Sequence, residues 1–242
     1  MKTAINKNGA HRAALRPSFR AALQMDTLEL TVYEEIGENW WTGDGVTAAT
    51  VKQSLDENAV CSRISVRINS PGGDVFEGIA IYNLLRAQKK PVDVYVDGIA
   101  ASAASVIAMA GDSITMGKAA MMMVHNAWTM CAGDARDMRK CADVLDAIGS
   151  AVGECYTAKT GKTAAEVQSI MDAETWMGAQ ECVDQGFATA VASEGDGAKA
   201  MALARSFKGT AKLRNLPEAL RNDAADGDGD LCSCTCAVCM QL

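Results

Sequence analysis

Apolar residues recur along the middle of this chain with two periods that take turns. LELTVYEEIG (28–37) alternates apolar and polar positions, as a half-exposed strand does. TAATVKQSLDENA (47–59) follows at helical spacing with Thr47 placed to cap it. In SRISVRINSPGGD the strand period returns through Ile64, Val66 and Ile68 and stops at Pro71-Gly72-Gly73. DVFEGIAIYNLLRAQ predicts a second helix with Val75, Ile79, Tyr82 and Leu84 or Leu85 on one side. After Lys89-Lys90-Pro91 comes the β-branched run VDVYVDG, then the small-residue helical run SVIAMAG, then two short strands, SITMG and MMMVH. Strand–helix–strand order at this spacing predicts an α/β fold with a parallel sheet of right-handed βαβ units.

From Asp134 to about Thr157 the period is helical again, through Met138, Cys141, Leu145, Ile148, Val152 and Cys155. Gly149 and Gly153 weaken that helix, and Gly161 ends it. TAAEVQSIM and GAQECVDQGF predict two short helices with Trp176 between them and Gly186 as a stop. Trp40-Trp41, in the turn NWWTGDG, cap the edge of the core. Three regions result: a basic arm over 1–26, disordered or processed; a folded domain over 27–192; and a flexible tail over 193–242 that ends in a Cys-rich segment.

The 242 residues suffice for one substantial core, and the net charge of −7 argues against a general nucleic-acid binder. No apolar run is long enough to span a membrane. Of the nine cysteines, Cys61, Cys131, Cys141, Cys155 and Cys182 are scattered through the body and read as small buried hydrophobes in a reducing compartment.

Candidate chemistry concentrates at three places. Ser102 sits between the strand VDVYVDG and the helical run, where free N–H groups at a helix entrance accept negative charge. It is not a Gly-x-Ser-x-Gly elbow, because Ala100 and Ala104 occupy the glycine positions; a hydroxyl bonded to a helix carbonyl is the plainer reading. His11 lies in the arm, so His125, at the end of MMMVH, is the one folded histidine able to take a hydroxyl proton. Ser70-Pro71-Gly72-Gly73 ends a strand with two residues free to adopt positive φ, either as a plain turn or with N–H groups aimed at an oxyanion.

NSPGGDVFEGIAIYN, DGIAASAASVIAMAG, MMMVHN and ETWMGAQECVDQGFA, in this order, resemble the Clp protease proteolytic-subunit family of serine peptidases, and especially its bacteriophage head-maturation (prohead) branch. The resemblance covers about 27–192. It implies a Clp/crotonase-like fold, Ser102 as nucleophile, His125 as base, and the backbone N–H groups of Gly73 and Ala103 as oxyanion hole. Counting back from Trp176 and Gly186, the family's acid falls on Glu174, with Asp172 as rival, and a dyad using neither stays open. It further implies no cofactor, a polypeptide substrate bound as an extended strand, a homo-oligomeric ring or stacked rings, and capsid or scaffold proteins or a Clp-type ATPase as partners. The helix from Asp134 becomes a projecting handle whose stripe of Met138, Leu145 and Ile148 is intersubunit core, with packing on its own domain as the alternative. The location implied is the host cytoplasm or the procapsid.

Competing readings are a Ser105 nucleophile, a Ser–Lys dyad using Lys118, a cellular Clp subunit working with an ATPase, a silent assembly component, and a crotonase-type acyl-CoA enzyme. Cys232, Cys234, Cys236 and Cys239 give C-x-C-x-C-x2-C, able to hold a soft metal ion but equally an unstructured tail. Asp226, Asp228 and Asp230 fail as a calcium loop because Leu231 and Ala237 replace the required Gly and acid.

Overall fold

The computed structural model describes residues 19–38 and 45–193, over which eight strands and six helices are laid down. Strands β2 (Thr27–Val32), β3 (Arg63–Ser70), β4 (Val92–Ala101), β5 (Ser113–Met116) and β8 (Ala190–Val191) lie side by side in parallel. Their alternation puts every second residue on one face: Leu30, Val66, Val94 and Ile114 stand in register across four strands, each at most 1% exposed. The opposite face is polar. Arg63 pairs with Asp93 and Arg67 with Asp97, while Tyr33 Oη donates to Asp97 Oδ2 at 2.5 Å. Burial and the Asp97 carboxylate push the Tyr33 phenol up to about 12.

The sheet is mixed, which corrects the expectation of a parallel one. β1 (Phe19–Gln24) returns antiparallel to β2 through Met25-Asp26, because a turn that short permits only a hairpin. This strand falls inside the segment expected to be a disordered arm. β6 (Met121–Val124) runs parallel to the end of β4, and β7 (Thr175–Gly178) pairs antiparallel with β6. β4 therefore serves two neighbours, β5 with its first half and β6 with its last three residues.

Helices α1 (Ala48–Glu57) and α2 (Val75–Arg86) start at side-chain caps, Thr47 and Asp74. On α2 the buried stripe is Val75, Gly78, Ile81 and Leu85, whereas Ile79, Tyr82 and Leu84 are only partly covered. α3 (Ala103–Ala108) is buried on all sides, which accounts for its small apolar residues. Gly78 lets α2 and α3 touch: a Cβ there would stand 2.9 Å from that of Ala103.

The helix α4 (Ala135–Thr160) begins in an Asp134/Asp137 capping box and ends, as expected, at Gly161, which is in the left-handed conformation. Gly149 and Gly153 do not interrupt it; they face Asn126 and Val167, where the helix seats against the body. Its buried residues begin at Ile148. The preceding half, about 20 Å of helix at 1.5 Å per residue, buries none of its side chains. Ile148 is thus core of its own domain, a correction to its expected place on an intersubunit stripe. α5 (Ala164–Asp172) and α6 (Ala179–Asp184) flank β7. Among the described residues no helix is long and apolar enough to cross a membrane. The Trp40-Trp41 cap, His11 and the four tail cysteines lie outside the described residues.

Candidate active site

β4 carries the chain straight into Ser102, the cap of α3. Between Ile99 and Gly111 every residue except Ser102 is buried. The corner is strained: Ser102 has φ 54° and ψ −127°, a conformation non-glycine residues rarely adopt. Backbone bonds hold it there. Ser102 N donates to Met123 O at 3.0 Å, and Ser102 O accepts from Ser105 N at 2.9 Å and Val106 N at 3.3 Å.

β6 hydrogen-bonds that same corner and delivers the imidazole one residue beyond its end. His125 Nε2 lies 2.8 Å from Ser102 Oγ. The β6–β7 register pairs Met123 with Trp176 and Val124 with Thr175, so His125 leaves the end of β6 where Glu174 enters the start of β7. Glu174 is 9% exposed and has φ 47°, a second strained non-glycine residue beside the site. Burial pulls the imidazole below its ordinary range, and the Glu174 charge opposes that shift. Burial thus favours the neutral ring, the form a proton acceptor needs. Asp172 is engaged elsewhere: it is exposed and accepts from Asn126 Nδ2 at 2.7 Å and Gln168 Nε2 at 2.8 Å, bonds that hold its carboxyl below the usual range.

The glycine pair closes the site from the α2 side. Gly72 packs on the Ser102 corner so tightly that a Cβ would sit 2.6 Å from both Ala101 O and Ser102 Cβ, and its φ is 98°. Gly73 forms a parallel bridge with Ile36 through its neighbours, Ile36 N donating to Gly72 O at 2.8 Å and Asp74 N to Ile36 O at 2.9 Å. That pattern turns the Gly73 N–H to the opposite side. Among the described residues neither Gly73 N nor Ala103 N donates to a protein acceptor.

A family model for Clp protease matches residues 42–195, well over half of the chain. The chain belongs to the Clp protease family. Members of this family are serine endopeptidases, and so is this chain. The ATP-dependent Clp protease proteolytic subunit of Pleurastrum terricola is 33% identical over 134 residues, 53% of this chain and 67% of that relative. Proteolytic subunit 1 of Leifsonia xyli is 32% identical over 129 residues, 51% of this chain and 64% of its own length. A ClpP1 mutant from Listeria monocytogenes shares the fold, with a TM-score of 0.59 at 22% identity over 69% of this chain and 92% of that one.

Within this Clp-type domain the rival nucleophile and base stand apart from the Ser102–His125 contact. Ser105 is fully buried, donates to Ser102 O at 2.6 Å and meets Tyr156 Oη at 2.8 Å. Lys118 is exposed in the β5–β6 turn. Among the described residues no cluster of three or more metal-ligating side chains occurs. Sequence reasoning missed Tyr156, which supports the corner through Ser105 from 51 residues away. It also missed Asn126, whose amide ties the residue after His125 to Asp172. Neither carries a local signal, because each acts through a partner set only by the tertiary fold.

Proposed function

We propose that this Clp-type endopeptidase works through an acyl-enzyme on Ser102, with His125 as proton carrier and Glu174 as the acid that orients it. The 2.8 Å approach of His125 Nε2 to the hydroxyl at a strained strand–helix corner carries this reading. His125 takes the hydroxyl proton as Ser102 Oγ attacks the scissile carbonyl, then gives it to the leaving amine. The N–H groups of Gly73 and Ala103 receive the oxyanion. Water repeats the sequence to release the acyl group. The polypeptide lies extended along Gly72-Gly73, bonding to main-chain groups turned away from Ile36. The chain assembles as a homo-oligomer through the uncovered half of α4.

The substrates we propose are procapsid and scaffold proteins cut during phage head maturation, in the host cytoplasm or procapsid. The resemblance of its four motif segments to that branch supports this. A chain of this kind trims its own termini, so the recombinant protein is expected to be shorter by mass than its Ser102→Ala form; identical intact masses would argue against maturation processing. The relatives' names, ATP-dependent proteolytic subunits, favour a second reading in which an ATPase feeds unfolded substrate. Degradation of a folded protein only when a Clp-type ATPase and ATP are added would select it.

A further inference from the structure

The strand that delivers Ser102 carries more residues than its neighbour does. β3 and β4 pair Ile68 with Val96 and next Ser70 with Ala100, so Asn69 alone faces Asp97, Gly98 and Ile99. The two extra residues form a bulge, and because their number is even the side-chain alternation of β4 survives it. Val96 and Ala100 accordingly both stay in the core. The bulge falls where β4 leaves β5, paired up to Val96, and takes up β6, paired from Ile99. Pulled straight, it would push Ser102 two residues further along β3, about 6–7 Å. That would carry Ser102 past Gly72, where an added Cβ would now stand 2.6 Å from that of Ser102. Two side chains hold the bulge. Asp97 is gripped by Arg67, whose Nε donates to Oδ2 at 2.9 Å and whose Nη2 donates to Oδ1, and by Tyr33 Oη. Asn69 is 2% exposed, and its Oδ1 accepts from Ile99 N at 3.2 Å, serving that residue as a strand carbonyl would.

We infer that Asn69 is a positioning residue for the nucleophile: its carboxamide oxygen fixes the β4 bulge and so sets Ser102 level with Gly72-Gly73 and within reach of His125. The inference rests on the reading of Ser102 as nucleophile and adds to it a residue that touches neither substrate nor the reacting atoms. Without the acceptor, Ile99 N loses its hold on β3 only three residues before Ser102. A misplacement of about 1 Å at a reacting group suffices to cost about 10²-fold in rate. The peptide bonds to main-chain groups of Gly72-Gly73, ahead of α2 and outside the bulge, so the loss falls on kcat and leaves KM largely alone.

The test compares Asn69→Leu and Asn69→Ala, which lack the acceptor, with Asn69→Asp, which keeps an oxygen there, all in the full chain. A fluorogenic peptide gives kcat and KM, a fluorophosphonate gives the labelling rate of Ser102, and circular dichroism gives the fold. Asn69→Leu and Asn69→Ala should lose about 10²-fold in both kcat and labelling rate, with KM within about threefold and the acid limb of the pH profile unmoved. Asn69→Asp should stay folded and recover to within about tenfold of the wild type. Activity near wild type in Asn69→Leu and Asn69→Ala, or an equal loss in Asn69→Asp, would overturn the inference. So would unfolding of both variants that lack the acceptor, since Asn69 would then act on folding alone. Failure of the nucleophile reading looks different: the wild-type chain itself would label at another serine or at none.

Discussion

Replacing Glu174 by Gln keeps the size and burial of the side chain and removes its charge. Glu174 directly precedes β7, beside the end of β6 from which His125 leaves, and the imidazole feels the carboxylate as an upward push against the downward pull of burial. Without that push its pKa drops further below the ordinary value, because the opposing influence is gone while the burial stays. The imidazolium formed in the transition state loses its counter-charge, and the ring loses what fixes its orientation. Removal of the acid in other Ser-His-acid enzymes costs roughly 10⁴-fold in rate, about 5.5 kcal/mol of barrier. The assay is kcat/KM against pH on a fluorogenic peptide. The acid limb of the wild type should lie below the usual histidine range, since His125 must lose its proton to act. In Glu174→Gln the plateau should fall by that factor and the limb should move to still lower pH. Asp172→Asn should leave the plateau within about threefold, its carboxylate being tied to Asn126 and Gln168. A large loss in Asp172→Asn beside a near-normal Glu174→Gln, or a limb that moves upward in Glu174→Gln, would refute the assignment.

Ser102→Ala should abolish turnover, by about 10⁶-fold, with unchanged circular dichroism, and a fluorophosphonate should label Ser102 and not Ser105 in the wild-type chain by peptide mapping. Gly72→Ala meets Ala101 O and the Ser102 side chain at 2.6 Å and forces alanine to φ 98°; it should lower stability by roughly 1–3 kcal/mol in urea unfolding and remove activity even where the protein stays folded. Tyr156→Phe deletes the Ser105 Oγ contact and should cost about 1 kcal/mol, read as a lower urea midpoint. Met138→Asp with Val144→Asp, both on the uncovered half of α4 and both exposed, should leave the fold intact by circular dichroism and drive sedimentation to a smaller species; unchanged sedimentation would remove α4 from the assembly.

The parts of the fold legible from sequence are those whose signal is local. Ile64, Val66 and Ile68 alternate because one face of β3 is covered, and Asp134 and Gly161 mark the ends of α4 through capping chemistry. β1 was hidden because its burial does not alternate and no residue in it is fully covered. β7 was hidden because four residues between two helices carry no period, and its direction is fixed only by pairing with β6. The same limit applies at the site. Ser102 and His125 are marked by residue type and position, but the separation of Glu174 from Asp172 depends on tertiary placement, which lets the Glu174 charge act on the imidazole and ties Asp172 to Asn126 and Gln168. Cys131 and Cys141 look like Cys61, Cys155 and Cys182 along the chain, yet Cys131 is exposed and Cys141 half-exposed where the other three are buried, which corrects their reading as buried hydrophobes.

The small residues around Ser102 acquire a common purpose once these contacts are compared. A non-glycine residue at φ 54° costs on the order of 1–3 kcal/mol, so the surrounding structure must hold Ser102 from several directions at once. Met123 O takes its N–H, Ser105 and Val106 take its carbonyl, Gly72 presses on its Cβ side, and Gly78 lets α2 close on Ala103. Each of these approaches fails if one more carbon is added at Gly72 or Gly78, or if a larger side chain replaces Ala103 or Ala104. In sequence the run AASAASVIAMAG resembles a weak core, too short of volume to fill space. Its worth lies in the absence of that volume, which lets three backbone segments meet and leaves half-buried Ser102 as the one residue of the run that is not buried.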